Sequence, residues 1–158
     1  MKVKELVLNA LFIALVFVAT RFIAITTPYG YFHAGDGIFF AIAIVFGLRS
    51  GVLAAGIGMG LSDFFSPYIV YTIPTLIIKS VMVIIIVVLV KKINNEKLNA
   101  VPMVMAGLVG VLGYFTFEFF YYSDLAAATS MVVPNILQSC VVAPLLATVL
   151  VPLLKRIK

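Results

Sequence analysis

The chain has 158 residues, of which 64% are hydrophobic and 11% charged, with a net charge of +5. Soluble domains run nearer half apolar and a quarter charged, and a domain this small could not hide so much apolar surface, so a water-soluble globular protein is excluded. The composition describes an all-α integral membrane protein, read as a single membrane domain over residues 1–158.

Six apolar spans follow in chain order, at about residues 6–25, 33–48, 51–65, 71–90, 101–122 and 132–154. The first is too long for a signal-peptide core and lacks a cleavage site, so it is kept as a mature helix. It contains ALFIA, which places Ala10 and Ala14 on one face with the small-xxx-small spacing that lets helix backbones approach closely. That face reads either as internal packing or as a docking face for a partner helix. The second and third spans are short, at roughly 16 and 15 residues, and only Arg49 and Ser50 interrupt them. The third, GVLAAGIGMG, repeats the small-residue spacing, read mainly as internal packing.

Charge placement decides whether these two spans are separate. With six spans, Lys2, Lys4, Arg49, the cluster Lys91/Lys92/Lys97 and the tail Lys155/Arg156/Lys158 share one side, while Asp36, Asp63 and Asp124 fall on the other. Fusing spans two and three would split the cations across the membrane. The positive-inside rule therefore selects six spans with both termini cytoplasmic. KKINNEKLN, residues 91–99, is the one clearly hydrophilic loop. Pro134, Pro144 and Pro152 all fall in the last span, where kinks are tolerated if neighbours or cavity water satisfy the freed carbonyls.

Polar residues inside spans are functional candidates by default. Lys79 and Glu118 lie roughly 12 and 6 Å below the outer ends of their helices, and a lysine stem can bridge that gap, so an ion pair between them is geometrically reasonable, with Lys79 holding the substrate as the alternative. Such a pair is either structural or a polar ligand site. Tyr114, Glu118 and Tyr121 or Tyr122 share one helical face, as do Thr72, Thr75 and Lys79. Asn135, Gln138 and Ser139 sit about one turn apart in the last span. Together these outline an outward-facing aromatic pocket with a few convergent polar groups, the usual make-up of a small-molecule site. The candidate substrate-binding residues are Glu118, Lys79, Tyr114, Tyr122, Asn135, Gln138, Thr75 and His33. Tyr29, Tyr31, Tyr68 and Tyr71 read as interfacial anchors.

Nucleotide and metal chemistry find no residues. The chain has no Walker motif and no HExxH, and its single cysteine, Cys140, and single histidine, His33, leave no disulfide and no His/Cys metal cluster. No cofactor and no metal site is expected, and the chain is read as a non-enzyme. Gly35-Asp36 resembles the motif of intramembrane aspartyl proteases, but those need two aspartates in the membrane core, and Asp36 and Asp63 fall at helix ends. In HAGDG, residues 33–37, Asp36 is expected to cap the second span, and His33 to bond within the loop or line the pocket rim.

The stretch 31–80 resembles the membrane-embedded S components of energy-coupling factor (ECF) vitamin transporters. Phe32 to Asp36 match an (F/Y)-H-x-G-D entry to the second helix, Phe46 to Gly51 an F-G-x-x-x-G run, Ser62-Asp63 the end of a glycine-rich third helix, and Pro74 to Lys79 a P-T-x-x-x-K run. ALFIA resembles the family's AxxxA docking motif, and length and span number extend the likeness over nearly the whole chain. The nearest subgroup is the one linked with riboflavin-type, hydroxymethylpyrimidine and pyridoxine-like substrates. The resemblance implies capture of a micronutrient from outside. It also implies docking through Ala10 and Ala14 on a transmembrane T component coupled to two cytoplasmic ATPases, and toppling of the loaded subunit within a prokaryotic plasma membrane. Hydroxymethylpyrimidine or a B6 vitamer is favoured over riboflavin, because one carboxylate, Glu118, with Asn135, Gln138 and tyrosines suits a small ring. The competing readings are an ion-coupled carrier or channel with a Lys79/Glu118 relay, and a structural subunit without ligand.

Overall fold

A computed structural model describes residues 3–27 and 30–158. Helix α1 spans Val3–Phe22. An antiparallel hairpin follows, β1 (Ala24–Thr27) pairing with β2 (Gly30–His33) in the register Ala24↔His33 and Ile25↔Phe32. The hairpin corrects the expected helix boundaries, since residues 24–25 leave the first helix and residue 33 leaves the second. Its cause is local. Ile25, Thr26 and Thr27 are consecutive β-branched residues, which favour extended backbone, and Thr27 precedes a proline, which disfavours the helical region. Lys2 and Tyr29 lie outside the described residues, as does the side chain of Tyr31.

Helix α2, Gly35–Phe46, is only 12 residues long, or ~18 Å, too short to cross a ~30 Å hydrocarbon core. It does not have to meet lipid, because Phe39, Phe40, Ala41 and Ile42 are all fully buried among the surrounding helices. Gly47 ends it with φ +84°, a left-handed backbone conformation suited to glycine, and its N–H bonds the Ala43 carbonyl at 3.0 Å. The chain turns there straight into α3, residues 48–64, so Arg49 and Ser50 form the first turn of α3 rather than a break before it. Helix α4 is Thr72–Ile93, entered through a 3₁₀ turn at Ile69–Tyr71, and α5 is Ala100–Tyr122. Asp124 then caps a short α6, Leu125–Ser130, by accepting the Ala126 N–H at 2.8 Å. Helix α7 covers residues 132–155.

Two helices widen into π turns, Leu53–Gly58 in α3 and Leu137–Val142 in α7. In α7 the reason is Pro144, which has no N–H for the Cys140 carbonyl and whose ring would crowd it, so a looser turn relieves both problems. The glycines of α3 serve close approach, since a Cβ at Gly58 would come 2.9 Å from the Ile13 carbonyl of α1.

The result is an all-α membrane bundle. The helical stretches Val3–Phe22, Ile69–Ile93, Glu96–Tyr122 and Leu125–Lys155 are each long and apolar enough to cross a membrane. Outward-facing Leu11, Leu15, Ile73, Ile77, Leu112 and Leu145 form its lipid-exposed belt. At one end Lys4, Arg49 and Lys158 border one pocket, Lys155 pairs with Glu96 at 2.6 Å, and the Lys158 ammonium donates to the Val45 carbonyl at 2.7 Å. This cation-rich end is the one that the positive-inside rule assigns to the cytoplasm.

Candidate functional site

The opposite half of the bundle holds the polar residues. Asp36, the second residue of α2, is wholly buried. The Lys79 ammonium of α4 donates to its two carboxylate oxygens at 2.7 and 3.0 Å. From the π turn of α7, the Ser139 hydroxyl donates to Asp36 Oδ2 at 2.6 Å and the Gln138 amide at 3.3 Å. Gln138 also accepts the His33 backbone N–H at 2.8 Å, and its Nε2 lies 3.3 Å from His33 Nε2. One carboxylate thus fastens α2, α4 and α7 to one another, and Gln138 ties the hairpin to them. The Lys79 charge is further bordered by the Tyr114 ring at 5.2 Å and the Phe39 ring at 5.8 Å.

Two sequence expectations are corrected here. Lys79 pairs with Asp36 and not with Glu118. Asp36 makes no cap to α2; it sits inside the bundle as the counter-ion of Lys79. The physical reason is common to both. Helix α2 starts at Gly35, two residues later than expected, which drops Asp36 from the rim to the depth of the Lys79 ammonium, where an unpaired charge would be costly.

Above this floor, Glu118 of α5 is 3% exposed. Its Oε1 accepts the Tyr71 hydroxyl at 3.2 Å, while its Oε2 has no hydrogen-bond partner among the described residues. The Tyr71 hydroxyl also lies 3.4 Å from that of Tyr122, and the Thr75 and Tyr114 hydroxyls are 2.9 Å apart. Tyr71 is the hub of the aromatic wall, with ring centroids 5.3 Å from Phe117, 6.3 Å from Tyr114 and 6.4 Å from Tyr68.

Between floor and wall lies a narrow cavity, with an empty volume of about 470 Å³ including its mouth. Glu118, Lys79, Tyr114, Asn135, Gln138, Thr75 and His33 all line it; Tyr122 stands behind Tyr71 and does not. Thr20, Met59, Asp63, Tyr68, Tyr71 and Met131 complete the lining. Of these, Tyr68 and Tyr71 read as membrane anchors from sequence, because a tyrosine near a helix end gives no sign of which way it turns. Thr20 carried no polar pattern around it. Among the described residues no group of three His, Cys, Asp or Glu is placed to hold a metal ion. Ala10 and Ala14 are both exposed, well away from the cavity, and Ala10 borders an apolar groove with Leu6, Ile13, Val52 and Leu53.

The bundle thus sets a cavity of aromatic and convergent polar groups into one half of a membrane protein. The family model described as the S component of ECF-type riboflavin transporters matches residues 1–158, and the chain belongs to that family. It is a vitamin-uptake S component of an ECF transporter, a membrane protein of a transporter family rather than an enzyme family. No curated protein matches it.

Proposed function

We propose that the outer cavity captures a small, single-ring aromatic nitrogen heterocycle, hydroxymethylpyrimidine or a B6 vitamer. The chain then brings it into a prokaryotic cell through its plasma membrane, together with a T component and two ATPases. The observation that carries this reading is Glu118: a buried carboxylate with one oxygen unpartnered among the described residues, facing a narrow cavity. A carboxylate in that state accepts from a ring N–H or an exocyclic amine, and the tyrosine wall stacks on a flat ring. Lys79, Thr75, Tyr114, Asn135, Gln138 and His33 frame the ligand, and Tyr122 orients Tyr71. Ala10 and Ala14 form the face on which the T component docks, their small side chains letting its backbone come close.

Riboflavin is the second reading, favoured by the description of the matching family. Mass spectrometry of the ligand that co-purifies with the protein separates the two. A pyrimidine or pyridine of one ring is expected, and a yellow flavin bound one to one overturns that expectation. An ion relay through Lys79 and Glu118 lacks its first link, since the ammonium is held by Asp36 and the Glu118 carboxylate by Tyr71. Docking is tested by Ala10→Trp with Ala14→Trp, which should abolish uptake and leave ligand binding intact; uptake that persists without a partner ATPase would sink the transport reading.

A further inference from the structure

Thr20, near the outer end of α1, is 1% exposed, and its hydroxyl has no hydrogen-bond partner among the described residues. That is unusual within this molecule. The hydroxyls of Ser80, Thr116, Thr129 and Thr148 turn back onto their own helices, bonding the carbonyls of Leu76, Leu112, Leu125 and Leu145 at 2.7 to 2.8 Å. Cavity hydroxyls reach across instead, Thr75 to Tyr114 and Ser139 to Asp36. Thr20 does neither, and it lines the cavity. Gly35 keeps the space beside it open, since any Cβ at that position would collide with the Thr20 hydroxyl. Buried hydroxyls are rarely left without a partner, so the partner of this one comes from the cavity.

We propose that Thr20 is a ligand-contacting, specificity-determining residue. Its hydroxyl bonds a neutral hydroxyl, amine or ring nitrogen of the captured heterocycle, as a group that both donates and accepts. The inference rests on the capture reading above and adds α1 to the ligand shell. It has a mechanical corollary. The buried stripe of α1, Asn9, Phe12, Val16, Ala19 and Thr20, ends in the cavity, while Ala10 and Ala14 are exposed on the same helix. Filling the cavity therefore ties down the outer end of the helix that carries the docking face.

The test uses the full-length purified protein in detergent, with hydroxymethylpyrimidine, pyridoxine and riboflavin as probes in calorimetry. Thr20→Val removes the hydroxyl and keeps the shape. It should weaken binding about five- to tenfold, the loss of one neutral hydrogen bond, while Thr20→Ser stays within about twofold of wild type. Bound probe should slow amide hydrogen exchange at residues 19–22 in the wild type and in Thr20→Ser, but not in Thr20→Val. A structural role predicts something else, a lowered unfolding midpoint of the ligand-free protein. Here Thr20→Val should unfold no earlier than wild type, because it deletes an unbonded polar group, and Thr20→Ala serves as a second variant if valine does not fold. Unchanged affinity in Thr20→Val, with weakened binding in Glu118→Gln, overturns the Thr20 assignment and leaves capture standing. Failure of all three probes to bind the wild type overturns both.

Discussion

The bundle buries three carboxylates in its outer half, Asp36, Asp63 and Glu118, and treats the first and the last oppositely. Asp36 receives an ammonium, a hydroxyl and an amide from two helices, so its charge is matched and its lone pairs are largely used. Among the described residues, Glu118 receives a phenol on one oxygen and no hydrogen bond on the other. A charge satisfied from several helices fixes their mutual position, whereas a charge left half-satisfied beside a cavity holds bonding capacity for something that arrives later. Burial alone does not separate structure from binding; the inventory of partners does.

The contrast can be broken most forcefully at Lys79. Lys79→Met strands the Asp36 carboxylate inside the bundle and should cost about 3 to 5 kcal/mol, read as loss of monodisperse protein or an unfolding midpoint many degrees lower. The double variant Lys79→Met with Asp36→Leu should recover much of that loss, since no lone charge remains. Glu118→Gln, by contrast, should leave the fold intact and weaken ligand binding by about 1.5 to 3 kcal/mol, roughly ten- to 150-fold, in calorimetry. Equal loss of stability in Lys79→Met and Glu118→Gln would erase the distinction between the two carboxylates. Ser139→Ala, which removes one charge-assisted bond from Asp36, should lower stability by about 1.5 kcal/mol without changing affinity. Smallest of all in affinity, Tyr71→Phe takes the donor from Glu118 Oε1 and should weaken binding by about 1 kcal/mol in a calorimetric assay.

Much of this arrangement could be read from the chain. Hydropathy marked the apolar helices of the bundle, because the bilayer imposes a length and a composition that leave a direct trace in sequence. Helical spacing also brought Glu118, Tyr114, Thr75, Lys79 and Gln138 toward one side of the membrane, and the structure places them around one cavity. What escaped was depth and partnership. Whether Lys79 meets Asp36 or Glu118 depends on where α2 begins, and that is set by a hairpin whose ends, residues 24–25 and 33, fell inside the two flanking hydrophobic spans. The π turn that presents Gln138 and Ser139 to Asp36 arises from Pro144, but a proline signals a disturbance without saying where the freed backbone will find relief. Thr20 and Tyr71 were missed because a single hydroxyl in an apolar helix shows its direction only once its neighbours are in place.

The Asp36–Lys79 pair has an electrical consequence. Moving one elementary charge through a membrane potential costs about 2.3 kcal/mol per 100 mV. With the carboxylate wholly buried and the ammonium 2% exposed, the two travel together as a compact neutral unit. If the loaded subunit reorients within the bilayer, as its family resemblance implies, this buried pair moves no net charge across the field, and only its short dipole couples to the voltage.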